Sequence, residues 1–187
     1  YVYSPGHLQN CDFLDGLEHW VTDPADADAL RADSSAGYGK GSQRRWGAPG
    51  GTGDTFCVFT RGDGDPSTLT QTATGLTPGE TYTLQFVTAD YEDIVTGTFD
   101  PGQLGMNAVL GEGAEVIPEE SYVFVDTRNT GRKKDDGLAR VNLHHVRFRA
   151  VAPSVEVTFT DSEAEPGTQI ALNYIMLKPY FEEQVTP

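Results

Sequence analysis

The sequence predicts an all-β protein built as a two-sheet antiparallel β-sandwich. Three observations predict it. Tyr82, Leu84 and Phe86 alternate with Thr81, Thr83, Gln85 and Val87, which is the period of two of a half-buried strand. About a dozen short runs of this kind are separated by turn residues, as a sandwich requires. Among the 187 residues the glycines (21) and prolines (11) are dispersed, and no apolar 3.6-residue period supports a helix longer than a turn or two. Residues 1–187 are read as one module with its own core.

The elements follow in order. Asn10 to Trp20 reads as a short strand carrying Phe13, a turn at Asp15-Gly16, and the start of a second strand at Leu17 and Trp20. Asp23 to Asp28 is an acidic turn; it lacks the glycine and distal glutamate of an EF-hand. Ser34 to Gly53 is a Gly/Ser-rich loop holding Tyr38, Gln43, Arg44, Arg45 and Trp46. Asp54 to Arg61 is apolar on both faces and so should lie centrally; Arg61-Gly62-Asp63 behind it reads as a turn. Ser67 to Tyr91 holds two strands that should cross the centre of the sandwich. Thr77-Pro78-Gly79-Glu80 joins them, with proline presetting φ and glycine supplying a positive one. Burial of Tyr82, Leu84 and Phe86 contributes roughly 1.5–3 kcal/mol each.

Glu92 to Gly105, with Phe99, is a long connection, and strands follow at Met106–Leu110 and Tyr122–Val125. Thr127 to Gly137 is a charged surface loop. In Val141–Val151, His144, Val146, Phe148 and Ala150 face one way and Leu143, His145, Arg147 and Arg149 the other. The two adjacent histidines therefore cannot chelate one metal together. Val155, Val157 and Phe159 mark the next strand. Ile170–Leu177 is apolar on both faces, with Asn173 as its polar interruption, and should be central.

The net charge of −15 argues against a general nucleic-acid binder. Between Arg128 and Arg149, however, seven basic residues accompany only Asp135 and Asp136, a local cationic segment on an acidic chain. No apolar run approaches the ~18 residues of a membrane-spanning helix. No signal peptide is visible, and the chain is read as a module excised from a longer secreted protein. Cys11 and Cys57 fit a disulfide in a secreted module equally as well as two buried free thiols. Nucleophile-elbow, zincin, paired Cys-x-x-Cys and phosphate-loop motifs are absent, as are the Gln-x-His and Tyr-Phe-Lys-x-Gly strands of polysaccharide lyases.

Three features, in this order, resemble bacterial jelly-roll carbohydrate-binding modules of the galactose-binding-like superfamily. Asn10-Cys11-Asp12-Phe13-Leu14-Asp15-Gly16-Leu17, followed by Trp20, is similar to their opening Asn-x-x-Phe-Glu-x-Gly with a nearby tryptophan. Leu69 to Phe86 is similar to their Leu-x-Gln, Gly-Leu-x-Pro-Gly, Tyr-x-Leu-x-Phe core. Ile170–Leu177 stands where such modules often close on Leu-Asp-Asp-Val. The resemblance implies a jelly roll and a non-catalytic sugar-binding role beside an appended glycoside hydrolase or lyase. It also implies a structural calcium held by early carboxylates and the closing-strand aspartate. Those positions fall at Leu14 and Asn173 here, both departures from the pattern; Asp12 or Asp15, with carbonyls near Gly41-Ser42, remain as oxygen donors.

Sugar recognition needs aromatic faces and planar polar side chains. The candidates are Trp46, Tyr38, Tyr91 and Phe99 for stacking, and Arg147, Arg149, His145 and Gln43 for polar contact. An anionic polysaccharide would engage Arg147, Arg149 and the Arg132–Lys134 loop. The alternatives are a structural or adhesive spacer, since Leu76-x-Pro78-Gly79-x-x-Tyr82 also occurs in fibronectin-type domains, and a polysaccharide-active enzyme.

Overall fold

The computed structural model describes residues 6–39, 53–96, 104–126 and 141–180. The strands are β1 (Val21–Asp23), β2 (Leu30–Ser34), β3 (Thr55–Thr60), β4 (Thr68–Ala73), β5 (Thr81–Asp90), β6 (Asn107–Leu110), β7 (Ala114–Val116), β8 (Tyr122–Asp126), β9 (Val141–Ala150), β10 (Val155–Thr160) and β11 (Gln169–Pro179). A short helix, α1 (Tyr91–Thr96), follows β5, and a 3₁₀ turn (Pro118–Glu120) links β7 to β8. One sheet has the order β1-β4-β10-β6. The other, of seven strands, has the order β2-β3-β11-β5-β9-β7, with β8 also paired to β9. Every pairing between named strands is antiparallel, so the predicted two-sheet sandwich stands.

The stretch from Ser67 to Tyr91 does supply central strands, but to opposite sheets: β4 lies between β1 and β10, β5 between β11 and β9. The linking turn is a crossover rather than a hairpin. Gly79 has φ 92 and the Glu80 amide donates to the Thr77 carbonyl at 3.1 Å, as the sequence predicts for a type II turn. The Gly79 amide also donates to the Ala150 carbonyl at 2.7 Å, and the Thr77 amide to the Tyr82 hydroxyl at 2.8 Å. These bonds tie the crossover to the start of β5 and the end of β9.

Tyr82, Leu84 and Phe86 point between the sheets and are fully buried, meeting Leu69, Phe148, Val157, Phe159, Leu172 and Leu177 in one core. The strand expected around Phe13 does not form. Asn10, Phe13 and His19 have positive φ (48, 54 and 70), which a strand excludes. Asn10 instead organises tight turns: its side-chain amide donates to the Gly16 and Glu18 carbonyls, and its side-chain oxygen accepts from the Asp15 amide. Phe13 and Trp20 still enter the core from these turns. Cys11 and Cys57 are both free thiols buried in the same core, which closes the alternative of a disulfide between them.

A second core lies on the outer face of the seven-stranded sheet. Val87, Ala89, Val58, Leu143 and Ala171 point outward and are covered by Tyr38, Tyr174 and Ile94 of α1. This cover stops part-way along β5 and β9. Among the described residues no second core covers the rest of the outer face, and the candidate site lies there.

Candidate functional site

Registers across the sheet assemble the open face. β5 and β9 set Thr81 opposite Arg149, Thr83 opposite Arg147, and Gln85 opposite His145. β11 sets Lys178 opposite Thr83 and Met176 opposite Gln85, and β8 sets Tyr122 opposite His145. Directly opposed residues share a face of an antiparallel sheet, so these side chains form one patch. Adjacent strands lie ~4.8 Å apart, so four strands give a strip about 14 Å across.

Arg147 is held at its centre. Its Nε donates to the Thr83 hydroxyl at 3.2 Å, its Nη1 to Glu120 at 3.2 Å, and its guanidinium lies 3.4 Å from the centroid of the Tyr180 ring. The side chain is only 16% exposed. Its backbone amide also donates to the Ser121 hydroxyl, which seats β9 against the 3₁₀ turn. Arg149 donates to Glu115 at 2.7 Å. Lys178 makes no ion pair among the described residues. His145 stacks on Tyr122, with ring centroids 4.6 Å apart and planes 15° from parallel. Burial and then the neighbouring Arg147 charge lower the His145 pKa, so it is a neutral donor–acceptor at neutral pH. Tyr122 is 55% exposed. The patch thus has a polar floor with an aromatic ring at each flank, Tyr122 on the β8 side and Tyr180 on the β11 side.

Of the residues nominated from sequence, the structure brings together His145, Arg147 and Arg149. Trp46, Gln43, Phe99 and the Arg132–Lys134 loop lie outside the described residues. Tyr38 presents no stacking face: it is 4% exposed and packs edge-on against Phe56, centroids 5.5 Å apart, in the second core. Its aromatic bulk caps apolar outward side chains that water would otherwise meet. Tyr91 belongs to the capped half of the sheet as well. Its hydroxyl donates to Asp33 at 2.6 Å and the Arg31 guanidinium sits 4.8 Å from its ring centroid. That hydroxyl bond, with the Ser34 amide, lowers the Asp33 pKa. Tyr122, Tyr180, Thr83, Gln85 and Lys178 were not nominated. Thr83 and Gln85 carried a readable signal, since their parity places them on the face that also bears Arg147 and His145. Tyr180 carried none, because its ring reaches Arg147 through a pairing of distant segments.

Two of the three proposed calcium donors bond to one short segment, Gly53–Thr55. Asn173 is fully buried; its Nδ2 donates to the Gly53 carbonyl at 2.8 Å, and its Oδ1 has no hydrogen-bond partner among the described residues. The Thr55 hydroxyl donates to the Asp12 carbonyl, so Asp12 and Asn173 are tied to the same short segment. Asp15 is exposed on the turns ordered by Asn10. Among the described residues no three His, Cys, Asp or Glu side chains gather where a metal ion would sit.

No protein-family profile matches the sequence, and no curated protein sequence matches it. Solved structures do match in shape. The carbohydrate-binding module TmCBM61, in complex with β-1,4-galactotriose, superposes with a TM-score of 0.51 and 14% identity, covering 95% of this chain and 100% of that one. The Stig cyclase FisC from Fischerella sp. TAU gives 0.53 and 14%, covering 94% and 97%. The enzymatically active domain of tailspike protein 4 of bacteriophage CBA120 gives 0.54 and 13% over 94% of this chain, which spans only 22% of that one. At these identities the likeness is one of fold: this chain shares its β-sandwich with a carbohydrate-binding module, a cyclase and a domain of a tailspike enzyme, proteins of different activities.

Proposed function

We propose that the chain is a non-catalytic carbohydrate-binding module whose binding face is the open half of the seven-stranded sheet. The observation that carries this reading is the pair of aromatic rings, Tyr122 and Tyr180, flanking a guanidinium already fixed by three partners. Aromatic faces take the C–H surface of a sugar, while Gln85, Thr83, His145 and Arg147 offer donors and acceptors to its hydroxyls. A pre-positioned Arg147 spends little rotamer entropy on binding. Both arginines are already matched by Glu120 and Glu115, which favours a neutral glycan over an anionic one. The sugar carried by TmCBM61, a neutral galactan fragment, is the natural first ligand to try.

The same reading places the module in a secreted protein, targeting an appended hydrolase or lyase to its polymer. Calcium belongs to it as a structural ion. The orphaned Asn173 Oδ1 and Asp12 would hold it, with no part for Asp15, and the ion would tie the closing strand to the N-terminal turns. Titrating calcium into chelator-treated protein should raise the Tm, and Asn173→Ala should abolish the rise.

The binding test is calorimetry against β-1,4-galactan oligosaccharides and a panel of neutral, uronic and sulfated polysaccharides. Tyr122→Ala and Tyr180→Ala should each weaken binding roughly three- to tenfold, the size of one aromatic contact. A folded protein that binds no member of the panel would overturn the reading and leave the spacer alternative.

A further inference from the structure

Along part of its length the seven-stranded sheet ends on β8, which pairs with β9 alone. That pairing runs from Tyr122 to Asp126 without a bulge. In β9 the odd-numbered residues turn their peptide groups toward this edge: the Arg147 carbonyl accepts from the Ile117 amide, while Ala150 bonds Gly79 and Glu80 on the β5 side. By alternation His145 and Leu143 bond Tyr122 and Phe124, the residues opposite them. The amides and carbonyls of Val123 and Val125 therefore face outward, and no described strand meets them.

The side chains on this edge are apolar on both faces. Tyr122 (55% exposed) and Phe124 (52%) lie on the outer face with His145 and Leu143, and Val123 (39%) lies on the inner face with His144. The other edge strands are blunted. β1 and β7 have three residues each, β6 has four, and β2 carries Arg31 and Asp33. β8 has no lysine, arginine, proline or bulge to turn another strand away. A strand with apolar side chains on both faces is matched by a second strand of the same kind, and β8 of another copy of the chain is one.

We propose that β8 is the contact edge of a two-fold dimer, in which it pairs antiparallel with β8 of a second copy. The register is centred on Phe124. It sets Val123 opposite the second copy's Val125, and the reverse, so that the outward peptide groups bond one another. It also sets Phe124 against the second copy's Phe124 on the outer face, an aromatic cross-strand pair. A register centred on Val123 would need the Ser121 amide, which already donates to the Pro118 carbonyl at 3.1 Å. Two half-exposed rings, a valine and a five-residue ladder from each copy bury roughly 1,000 Å² in total, the low end for a specific complex. The dimer therefore forms at micromolar concentration or above. Each copy carries −15, so association tightens as salt screens the repulsion.

Sedimentation velocity of the full chain, from micromolar to submillimolar concentration at low and high salt, tests the proposal. A monomer–dimer equilibrium that tightens with salt is expected. Val123→Pro removes an outward amide hydrogen that β9 does not use, and Phe124→Lys places a charge at an exposed ring position. Each should weaken the dimer roughly tenfold or more and leave the circular-dichroism spectrum of the monomer unchanged. Cysteine variants read the register, because opposed Cα atoms of a non-hydrogen-bonded pair lie ~4.5 Å apart, within disulfide reach. Mild oxidation should link the Phe124→Cys variant into a dimer and leave the Val123→Cys variant unlinked, while the native Cys11 and Cys57 stay buried. A chain that remains monomeric throughout, as it would if β8 served a strand of a different protein, would overturn the proposal. So would undiminished dimers in both edge variants, or equal cross-linking at the two positions.

Discussion

His144 makes the protein's stability depend on pH in a calculable way. Burial, and secondarily the charge of His145, lowers its pKa from 6.5 to about 4. The residues against it are Phe86 on β5, which stacks on it, and Val123 on β8; Thr88 bonds its Nε2. Glu163 is the carboxylate that lines one surface cavity together with His144. The unfolded chain therefore binds a proton between pH 6.5 and 4 that the folded chain refuses. Where the unfolded state holds more protons, stability falls as pH falls. The contribution is nil above pH 6.5, a loss of roughly 2 kcal/mol by pH 5 and roughly 3 kcal/mol by pH 4. His144→Phe keeps a ring beside Phe86 and removes the titration. It leaves the Thr88 hydroxyl without its partner, a penalty of about 1 kcal/mol that does not vary with pH. Urea unfolding of both proteins from pH 7.5 to 4.5 isolates the histidine, because carboxylate titrations are common to both. The variant should gain about 2 kcal/mol on the parent between pH 7 and 5. A stability difference flat across that range would refute the reasoning.

Two further outcomes follow from the core. Burial pushes the Cys57 thiol up to about 12 and raises Cys11 as well, with Asp12 adding to the latter, so neither is a thiolate at pH 8. An aromatic disulfide reagent should find no reactive thiol in the native protein and two after denaturation. Gly53→Ala should destabilise by more than the 1–2 kcal/mol of a left-handed residue, roughly, since Gly53 has φ +84 and its Cβ would lie 2.0 Å from the Tyr174 ring. Chemical denaturation checks it, and a neutral substitution would mean that the Tyr174 ring can move aside.

The alternation of side chains on β5, β9, β10 and β11 was legible because strand parity is local. Two residues apart means the same face, whatever lies beyond. Parity alone put His145, Arg147 and Arg149 on one side and His144, Val146 and Phe148 on the other, as the structure has them. The turn at Thr77–Glu80 was legible for the same reason, since proline and glycine act on their own backbone angles. The turns at Asn10–Trp20 were not, because there an amide side chain outcompetes strand propensity through bonds to residues six and eight positions on.

What the sequence determined by itself was therefore a set of two-faced strands and the chemistry on each face. Tertiary structure decided which sheet each strand joined, and so placed β4 and β5 on opposite walls of the core. It decided that Tyr38 and α1 cover one half of the outer surface and leave the other to water. It also gave Arg147 its neighbours Glu120 and Tyr180. Each outcome depends on contacts between segments distant along the chain, whose favourable burial exists only once both have been brought together, so no window of neighbouring residues encodes it.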